Sequence, residues 1–533
     1  MGTARGDDAA AVAFVGGRVR TMDPARPEAA VVVVRDGRIA AVGGVGLERA
    51  HPDAVVHDLG GRLLVPGFID AHCHLSVAAL RPTWGDASTC ADADALGAVI
   101  RAQAARFPDD TWIRLDGWDE TATGLRLDRH TLDAVAGDRP CLVAHNTFHQ
   151  GVVSSAGLDA LGIGRGTGAL GLDRDDDAAH VVRAADGTPT GLLVERAFGR
   201  AHSASMADVD DPDRWDDWVV AHATRLRAMG ITAVHDAACD AATEAMYARL
   251  RRAGRLPVSV LALPHPAPFL HNELAARLDG PPTGEGDALL RVGPIKLFAD
   301  GGVLPAIDVH VGGAPMAFGY RYPDLADRLV EAVGRGFRVA VHAMGNRGVA
   351  DAVAAFGAAA RRHPADDHRF RVEHAGMAGP ADAAALAALG AVGVVQPGFV
   401  EHVARNAAGF EPDDADWLPF GTLDAAGVPL AGSSDDPCGP VAPMACAHLG
   451  ATRRTHAGQL FGVSQALPLD RWLEAYTRGA AYAGGQEHER GTIAPGLLAD
   501  LVVLDDVGST PSPTISGAGP TIAETWIDGR RVR

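Results

Sequence analysis

The chain has 533 residues, enough for two to four domains or one large barrel with attachments, and too many for a peptide module. Apolar residues make up 47% and charged residues 22%, an ordinary globular composition that excludes collagen-like and disordered chains. With 48 Lys and Arg against 67 Asp and Glu the net charge is −19, so the average surface repels phosphate backbones and anionic lipid, and no local basic patch reverses this.

The opening MGTARGDDAAAV is polar and acidic, and no later apolar run approaches the ~18 residues of a membrane span, so a soluble cytoplasmic protein is expected. Residues 1–65 read as short strands and turns: VAFVGGRVRTMD, EAAVVVVRDGRIAAVG and AVVHDLGGRLLVPG. Alternating Val, Ile and Leu punctuated by Gly-Gly and Asp-Gly predict hairpins of a small antiparallel sheet. The last 40 residues repeat that texture in GTIAPGLLADLVVLDD and ETWIDGRRVR, so the two ends are expected to pair into one small domain.

The strand LLVPGFIDAHCHL is followed by an insertion, about residues 80–225, with its own helices (ADALGAVIRAQAARF, DRHTLDAVAG) and strands (TWIRLDGW, RPCLVAH). From about residue 230 the texture becomes a repeated unit of apolar strand, loop and Ala-rich helix. Its strands read ITAVHDAA, VSVLALPH, VGPIKLFADG, RVAVHAMGN, RFRVEHAGM, AVGVVQPGF and VPLAGSSDD. With the front strand these make eight, the number that closes a (β/α)8 barrel, so a TIM-type barrel is the predicted α/β architecture. The insertion would then lie over the C-terminal mouth, where such barrels keep their sites.

Six cysteines (Cys73, Cys90, Cys141, Cys239, Cys438, Cys446) contain no CxxC pair, which argues against a disulfide framework or a thiolate zinc site. Gly-rich pieces such as GGVGLERA lack the dinucleotide fingerprint, and no GxxxxGK phosphate loop is present, so no nucleotide cofactor is expected. One count stands out: Lys296 is the single lysine of the chain, inside the apolar stretch VGPIKLFADG, where an amine able to lose its proton offers what arginine cannot.

His72 and His74 in FIDAHCHL sit two apart at the end of a strand, where both side chains face one side and could grip one metal. About one such pair is expected by chance among 22 histidines, so context decides. Lys296, His342 in VAVHAMG, His374 in RVEHAGM and Asp435 in AGSSDDP fall at the corresponding ends of later strands. From Lys296 to Asp435 the spacing is roughly 35 residues per strand step, near the ~31 of a ~250-residue barrel. Six such residues at one rim form the candidate site.

With these motifs the chain resembles the amidohydrolase superfamily, specifically the amidohydrolase family 3 branch that includes N-substituted formamide deformylases. The resemblance is carried by PGFIDAHCHL, KLFADG, HAMGNRGV, RVEHAGM and SSDDP, with further matches in GWDE at Trp118, FHQGVVSSAGLDALGI at His149, GLLVERA at Glu195 and the terminal GTIAPGLLADLVVLD. It covers nearly the whole chain, and the ordered set is specific where no single motif is. It implies a barrel, residues 66–486, flanked by a β-sandwich built from residues 1–65 and 487–533. It also implies two divalent metal ions, expected to be zinc: His72 and His74 on one, His342 and His374 on the other, and a CO2-derived carbamate on Lys296 bridging them. Burial of Lys296 among Ile295, Leu297 and Phe298 beside metal would lower its pKa as that adduct requires.

The expected reaction is hydrolysis of a C–N amide-type bond (N-acyl, N-formyl or related) of a small molecule by a metal-bridged hydroxide. Asp435 would act as base and then acid, or as a plain metal ligand. His149 is a candidate donor to the carbonyl oxygen, with Trp118 and Glu195 as further substrate-side candidates; a structural role is an equal alternative for all three. A mononuclear deaminase-type amidohydrolase, a Schiff-base lyase using Lys296, and an inactive homologue are the alternatives. The partner is a small-molecule substrate, with neither nucleic acid nor membrane, and a homodimer stays open. Two departures from the family pattern bear on substrate preference. Asn346 replaces a usual aspartate, keeping the power to cap the next helix but not to act as a carboxylate, and GGVLPAIDVHVGG replaces a Ser-rich segment.

Overall fold

Eight parallel strands form the centre of the molecule: Phe68–Cys73, Ile231–Cys239, Ser259–Pro264, Ile295–Phe298, Val339–Ala343, Arg371–His374, Val392–Val395 and Leu430–Gly432. The computed structural model describes residues 11–165, 180–206, 212–265, 274–407, 410–505 and 520–533. All eight predicted strands are present. Their apolar runs are continuous because both faces are covered, and every residue of Phe68–Cys73, Ser259–Pro264 and Val339–Ala343 is buried. Between them run helices with one apolar stripe. Leu325, Leu329 and Ala332 of helix Leu325–Gly334, and Val349, Ala352, Phe356 and Ala359 of helix Asn346–Arg362, share the central core with Ile295, Leu297 and Val341.

The strands form two hydrogen-bonded arcs. The first three, with the short parallel strand Leu290–Val292, make one arc, and the fourth to eighth make the other. At the seam between first and eighth strands the Asp435 amide donates to the His72 carbonyl at 2.8 Å and the Ser434 amide to Asp70 Oδ1 at 2.9 Å. At the seam between third and fourth, Gly293 N–H donates to Ala262 O at 2.7 Å. No strand ladder crosses either seam among the described residues, so the observed architecture is two parallel arcs rather than one continuous ring.

The two chain ends share one six-stranded sheet, in which Leu501–Leu504 pairs antiparallel with Leu63–Pro66 and with Ile522–Ile527. A four-stranded sheet (Val12–Val15, Val31–Arg35, Arg38–Gly43, Val55–Asp58) packs against it through Phe14, Val32, Leu64, Leu501, Val503 and Trp526. Asp36 and Gly37, both at positive φ (50° and 75°), close the expected Asp-Gly hairpin. The Gly-Gly at 16–17 does something else. Val12–Val15 pairs parallel with Val55–Asp58, while Arg18–Arg20 pairs parallel with Leu63–Pro66 in the other sheet, so the chain crosses between sheets there. A Cβ on Gly17 would lie 2.5 Å from the Arg62 carbonyl, so the crossing needs glycine as a hairpin would. The terminal sheets are therefore mixed, not purely antiparallel.

The insertion carries a six-stranded mixed sheet with Gly85–Asp86 at one edge and Val181–Arg183 at the other, and Cys141–His145 and Gln150–Val153 at its middle. Helix Pro212–Ala228, within the predicted insertion, packs Val219, Ala223 and Leu226 into the central core instead. No described helix is long and apolar enough to cross a membrane.

Candidate metal centre

His72 lies at the end of the first parallel strand and His74 starts the short helix Leu75–Ala78. Their two-residue spacing brings both rings to one side, with centroids 5.3 Å apart. His72 Nδ1 is 2.5 Å from Glu373 Oε2, and His74 Nδ1 is 2.8 Å from the Ala237 carbonyl oxygen. Carboxylate and carbonyl oxygens only accept, so each Nδ1 carries the proton and each Nε2 presents a bare lone pair. Both Nε2 atoms face Asp435 Oδ1, at 3.3 Å from His72 and 3.1 Å from His74. His72 Nε2 and Asp435 Oδ1 are buried without a hydrogen-bond partner. Three lone pairs converging in a buried place repel one another unless a cation lies among them, so the donor set fits a divalent metal. Burial alone would raise the Asp435 carboxyl pKa, but His72 and His74, when they carry at Nε2 the proton that a metal ion would replace, hold it well below the usual carboxylate range.

His342, at the end of the fifth strand, has its Nε2 buried without a hydrogen-bond partner. The His374 ring is 4.6 Å from that of His342 and 5.0 Å from that of His72, and its Nδ1 is 2.8 Å from Gln396 Oε1. Burial drives the His374 pKa down to about 3 and that of His342 well below its ordinary value, leaving both rings in the neutral form that binds metals. His374 and Asp435 reach the cluster through left-handed backbone, φ 71° and 60°, a conformation costly for residues with a Cβ and concentrated at functional sites. Lys296 is buried, and burial pulls its pKa down to about 8 against the opposing charges of Glu373 and Asp435. Its charge in turn acts on His74, His342 and His374. The expected apolar surround needs a correction: Phe298 lies beneath the amine, 4.9 Å from ring centroid to Nζ, but Ile295 and Leu297 belong to the helix-facing core. Residues 295 and 297 flank Lys296 in sequence, and strand alternation turns them to the opposite side.

From the insertion, His149 brings its ring within 5.6 Å of His342. Its Nδ1 is 2.8 Å from Glu195 Oε2, while Glu195 Oε1 accepts the amides of Val303 at 2.9 Å and Leu304 at 3.2 Å. Burial would lower the His149 pKa, but the Glu195 carboxylate raises it above the ordinary value. The segment after Asp300 begins with two glycines because these side chains occupy the space. A Cβ on Gly301 would lie 2.6 Å from Glu195 Oε1, and one on Gly302 would lie 2.4 Å from His149 Nε2. Beyond them Ile307–Val311 and Ala314–Phe318 form a hairpin. Trp118 is placed differently: it is a buried core residue of the insertion whose indole N–H is spent on the Leu125 carbonyl at 2.8 Å. Asn346 does not cap its helix; Gly345 holds that position, and the Asn346 side chain instead exchanges two hydrogen bonds with the Asp308 backbone in the hairpin.

Residues not singled out from the sequence complete the centre. Glu373 and Gln396 fix two of the imidazoles. Asp300, whose pKa burial raises to about 7, accepts amides of Ala306, Met344 and Gly345 and so ties the His342 loop to the hairpin. Glu373 was within reach of the sequence, since it sits two residues from Arg371 on one strand and beside His374.

Residues 55–533 match the sequence model of the amidohydrolase family. An N-substituted formamide deformylase of Arthrobacter pascens is 33% identical over 92% of this chain and 93% of its own length. A putative amidohydrolase of Bacillus subtilis is 27% identical over 92% of this chain and 93% of its own. Among solved structures, an uncharacterized metal-dependent hydrolase of Pyrococcus horikoshii superposes with a TM-score of 0.71 at 20% identity, covering 93% of this chain and 97% of that one. A family match over most of the sequence, together with a relative one-third identical along nearly its whole length, shows that the chain belongs to the amidohydrolase family.

Proposed function

We propose that this amidohydrolase cleaves the C–N bond of a small N-acyl or N-formyl compound with two divalent ions, zinc in the first instance, at the mouth of a (β/α)8 barrel closed across its two seams. The observation that carries the reading is the meeting of His72 Nε2, His74 Nε2 and Asp435 Oδ1, the first and last of them buried without a hydrogen-bond partner. His72 and His74 would hold one ion and His342 and His374 the other, with Lys296 joining them as a carbamate. A buried amine whose pKa has fallen to about 8 has a usable unprotonated fraction near neutral pH, which addition of CO2 requires. Bound there, such ions supply a Lewis acid and activate water near neutral pH.

The protein's own groups handle the protons. Asp435, aimed inward by its left-handed backbone, takes a proton from the attacking water and returns it to the departing amine. His149, kept protonated by Glu195, donates to the carbonyl oxygen as negative charge builds on it. Glu195 holds that ring through two backbone amides of the Gly301–Leu304 segment, so the segment shapes the substrate side. A formyl or other small acyl group is favoured by the formamide deformylase among the relatives.

A second reading, a single ion on His72, His74 and Asp435, rests on these three being the only ones of the five His and Asp candidates that bring ligand atoms within 4.8 Å of one another among the described residues. Elemental analysis of purified protein combined with a screen of N-formyl, N-acyl and hydantoin-like substrates tests the proposal. Two metal equivalents with release of amine support it; a protein free of metal and inactive on all three classes sinks it. Lys296→Ala separates the readings: one retained equivalent with activity points to the single-ion enzyme.

A further inference from the structure

The sixth parallel strand, Arg371–His374, places a wholly buried ion pair behind the candidate centre. Arg371 Nε donates to Glu373 Oε1 at 2.8 Å and Nη2 to Glu373 Oε2 at 3.1 Å, the forked pairing that fixes the plane of a carboxylate. The guanidinium is itself anchored by the Ala71 carbonyl at 2.7 Å through Nη2 and by His235 Nδ1 at 3.1 Å through Nη1. The oxygen that receives Nη2 also receives His72 Nδ1 at 2.5 Å. Arg371, Glu373 and His72 therefore form one chain of hydrogen bonds, each member at most 1% exposed.

We infer that Glu373, clamped by Arg371, is a positioning residue for the metal centre: it fixes the tautomer and ring orientation of His72 so that Nε2 meets Asp435 as a bare lone pair. The inference rests on the reading that His72 holds a metal. Two features argue that the carboxylate serves the imidazole as well as the guanidinium. First, the His72 contact is the shortest of the hydrogen bonds linking Arg371, Glu373 and His72, and Nδ1 has no other acceptor among the described residues. Without Glu373 the imidazole proton is free to move to Nε2, which removes the ligand. Second, the residue after Glu373 is His374, turned into the cluster by its left-handed backbone. One strand thereby delivers a ligand and the orienter of another.

The bland alternative makes Glu373 only the counter-ion that a buried Arg371 needs. Zinc binding to chelator-stripped protein, read by competition with a chromophoric chelator, distinguishes the two. Glu373→Gln is expected to bind zinc about 10- to 100-fold more weakly than the wild type, the usual cost of losing a carboxylate behind a ligating histidine. The double substitution Arg371→Met with Glu373→Met removes both charges and leaves neither stranded. It is expected to show the same loss; restored affinity in the double variant would make Glu373 a counter-ion and overturn the inference. Nitrogen-15 histidine spectra of stripped wild-type protein, with the His72 signal identified by its absence in His72→Asn, decide the matter even if neither variant folds. The Nδ1–H tautomer is expected, and an Nε2–H tautomer overturns the inference. Wild type that binds no zinc would instead sink the functional reading itself, whereas tight and equal binding by wild type and Glu373→Gln sinks only the role of Glu373.

Discussion

Among the described residues two places gather three ligand-type side chains within 4.8 Å, and they differ in how one carboxylate of each is held. At the rim of the parallel strands, His72, His74 and Asp435 turn ligand atoms toward one another, and those of His72 and Asp435 are buried without a hydrogen-bond partner. In the insertion, Asp119, Glu120 and His145 lie as close, yet the Asp119 carboxylate is saturated. One oxygen accepts the amides of Thr121 and Ala122 at 2.9 Å each, and the other accepts Asn146 Nδ2 at 2.9 Å and Arg405 Nη2 at 2.8 Å. Those four donors fill the roughly four lone-pair sites a carboxylate has, and Arg405 already supplies the cation. Proximity of ligand atoms thus does not define a metal site. What defines it is whether other protein groups have taken the protons off, or put them on, the atoms that face inward.

The substitution expected to do most damage removes the anion of the first group. Asp435→Asn keeps the shape and deletes both the carboxylate charge and the proton acceptor, so kcat/KM should fall about 10²- to 10⁴-fold, the range for losing a general acid–base group. Steady-state kinetics with metal content measured on the same sample checks this. Unchanged kinetics would remove Asp435 from the chemistry and erase the contrast between the two groups.

The contrast also explains what the sequence could and could not reveal. Eight apolar runs, four of them with His72, His342, His374 or Asp435 near their ends, are legible because a strand buried on both faces has no room for polar residues except where it serves the mouth. Hydrogen-bond partners are not legible in that way. Nothing in RVEHAGM tells which imidazole Glu373 will meet, because His72 lies 301 residues away and the contact depends on how the two arcs come together. Glycine pairs are ambiguous for a related reason. Gly16–Gly17 supplies the same backbone freedom to a sheet crossing as to a hairpin turn, and only the partner strands tell them apart. Asn346 likewise carries a good capping side chain, which the Asp308 backbone claims first.

A smaller effect is expected from Glu195→Gln, which sharpens the comparison by changing one proton. The Glu195 carboxylate outweighs burial and raises the His149 pKa above its usual value of about 6.5, so the proton-bearing form persists to higher pH. An activity that needs His149 protonated is lost as pH rises through that raised value. With the charge gone the pKa drops, and the alkaline limb of the kcat/KM profile should move to lower pH with little change in metal content. The same pair stabilises the fold fully below the unfolded histidine value of about 6.5, and that contribution disappears as pH rises through the folded value. A limb that stays in place would mean that His149 carries no proton the reaction uses.

The smallest effect belongs to the saturated group, and it tests the comparison from the other side. Asp119→Ala removes the N-cap of helix Glu120–Thr123 and the acceptor shared by Asn146 and Arg405. Loss of a cap costs about 1 kcal/mol, and the exposed end of Arg405 can turn to water, so a modest fall in the thermal midpoint is expected. Metal content should not change, because no lone pair of Asp119 is available to an ion. If Asp119→Ala lost a metal equivalent while folding normally, a carboxylate holding four donors would have to release some of them to bind a cation. The rule that separates the two carboxylates, an unpartnered Asp435 oxygen in one group and fully occupied Asp119 oxygens in the other, would then fail at the place where it is most clearly drawn.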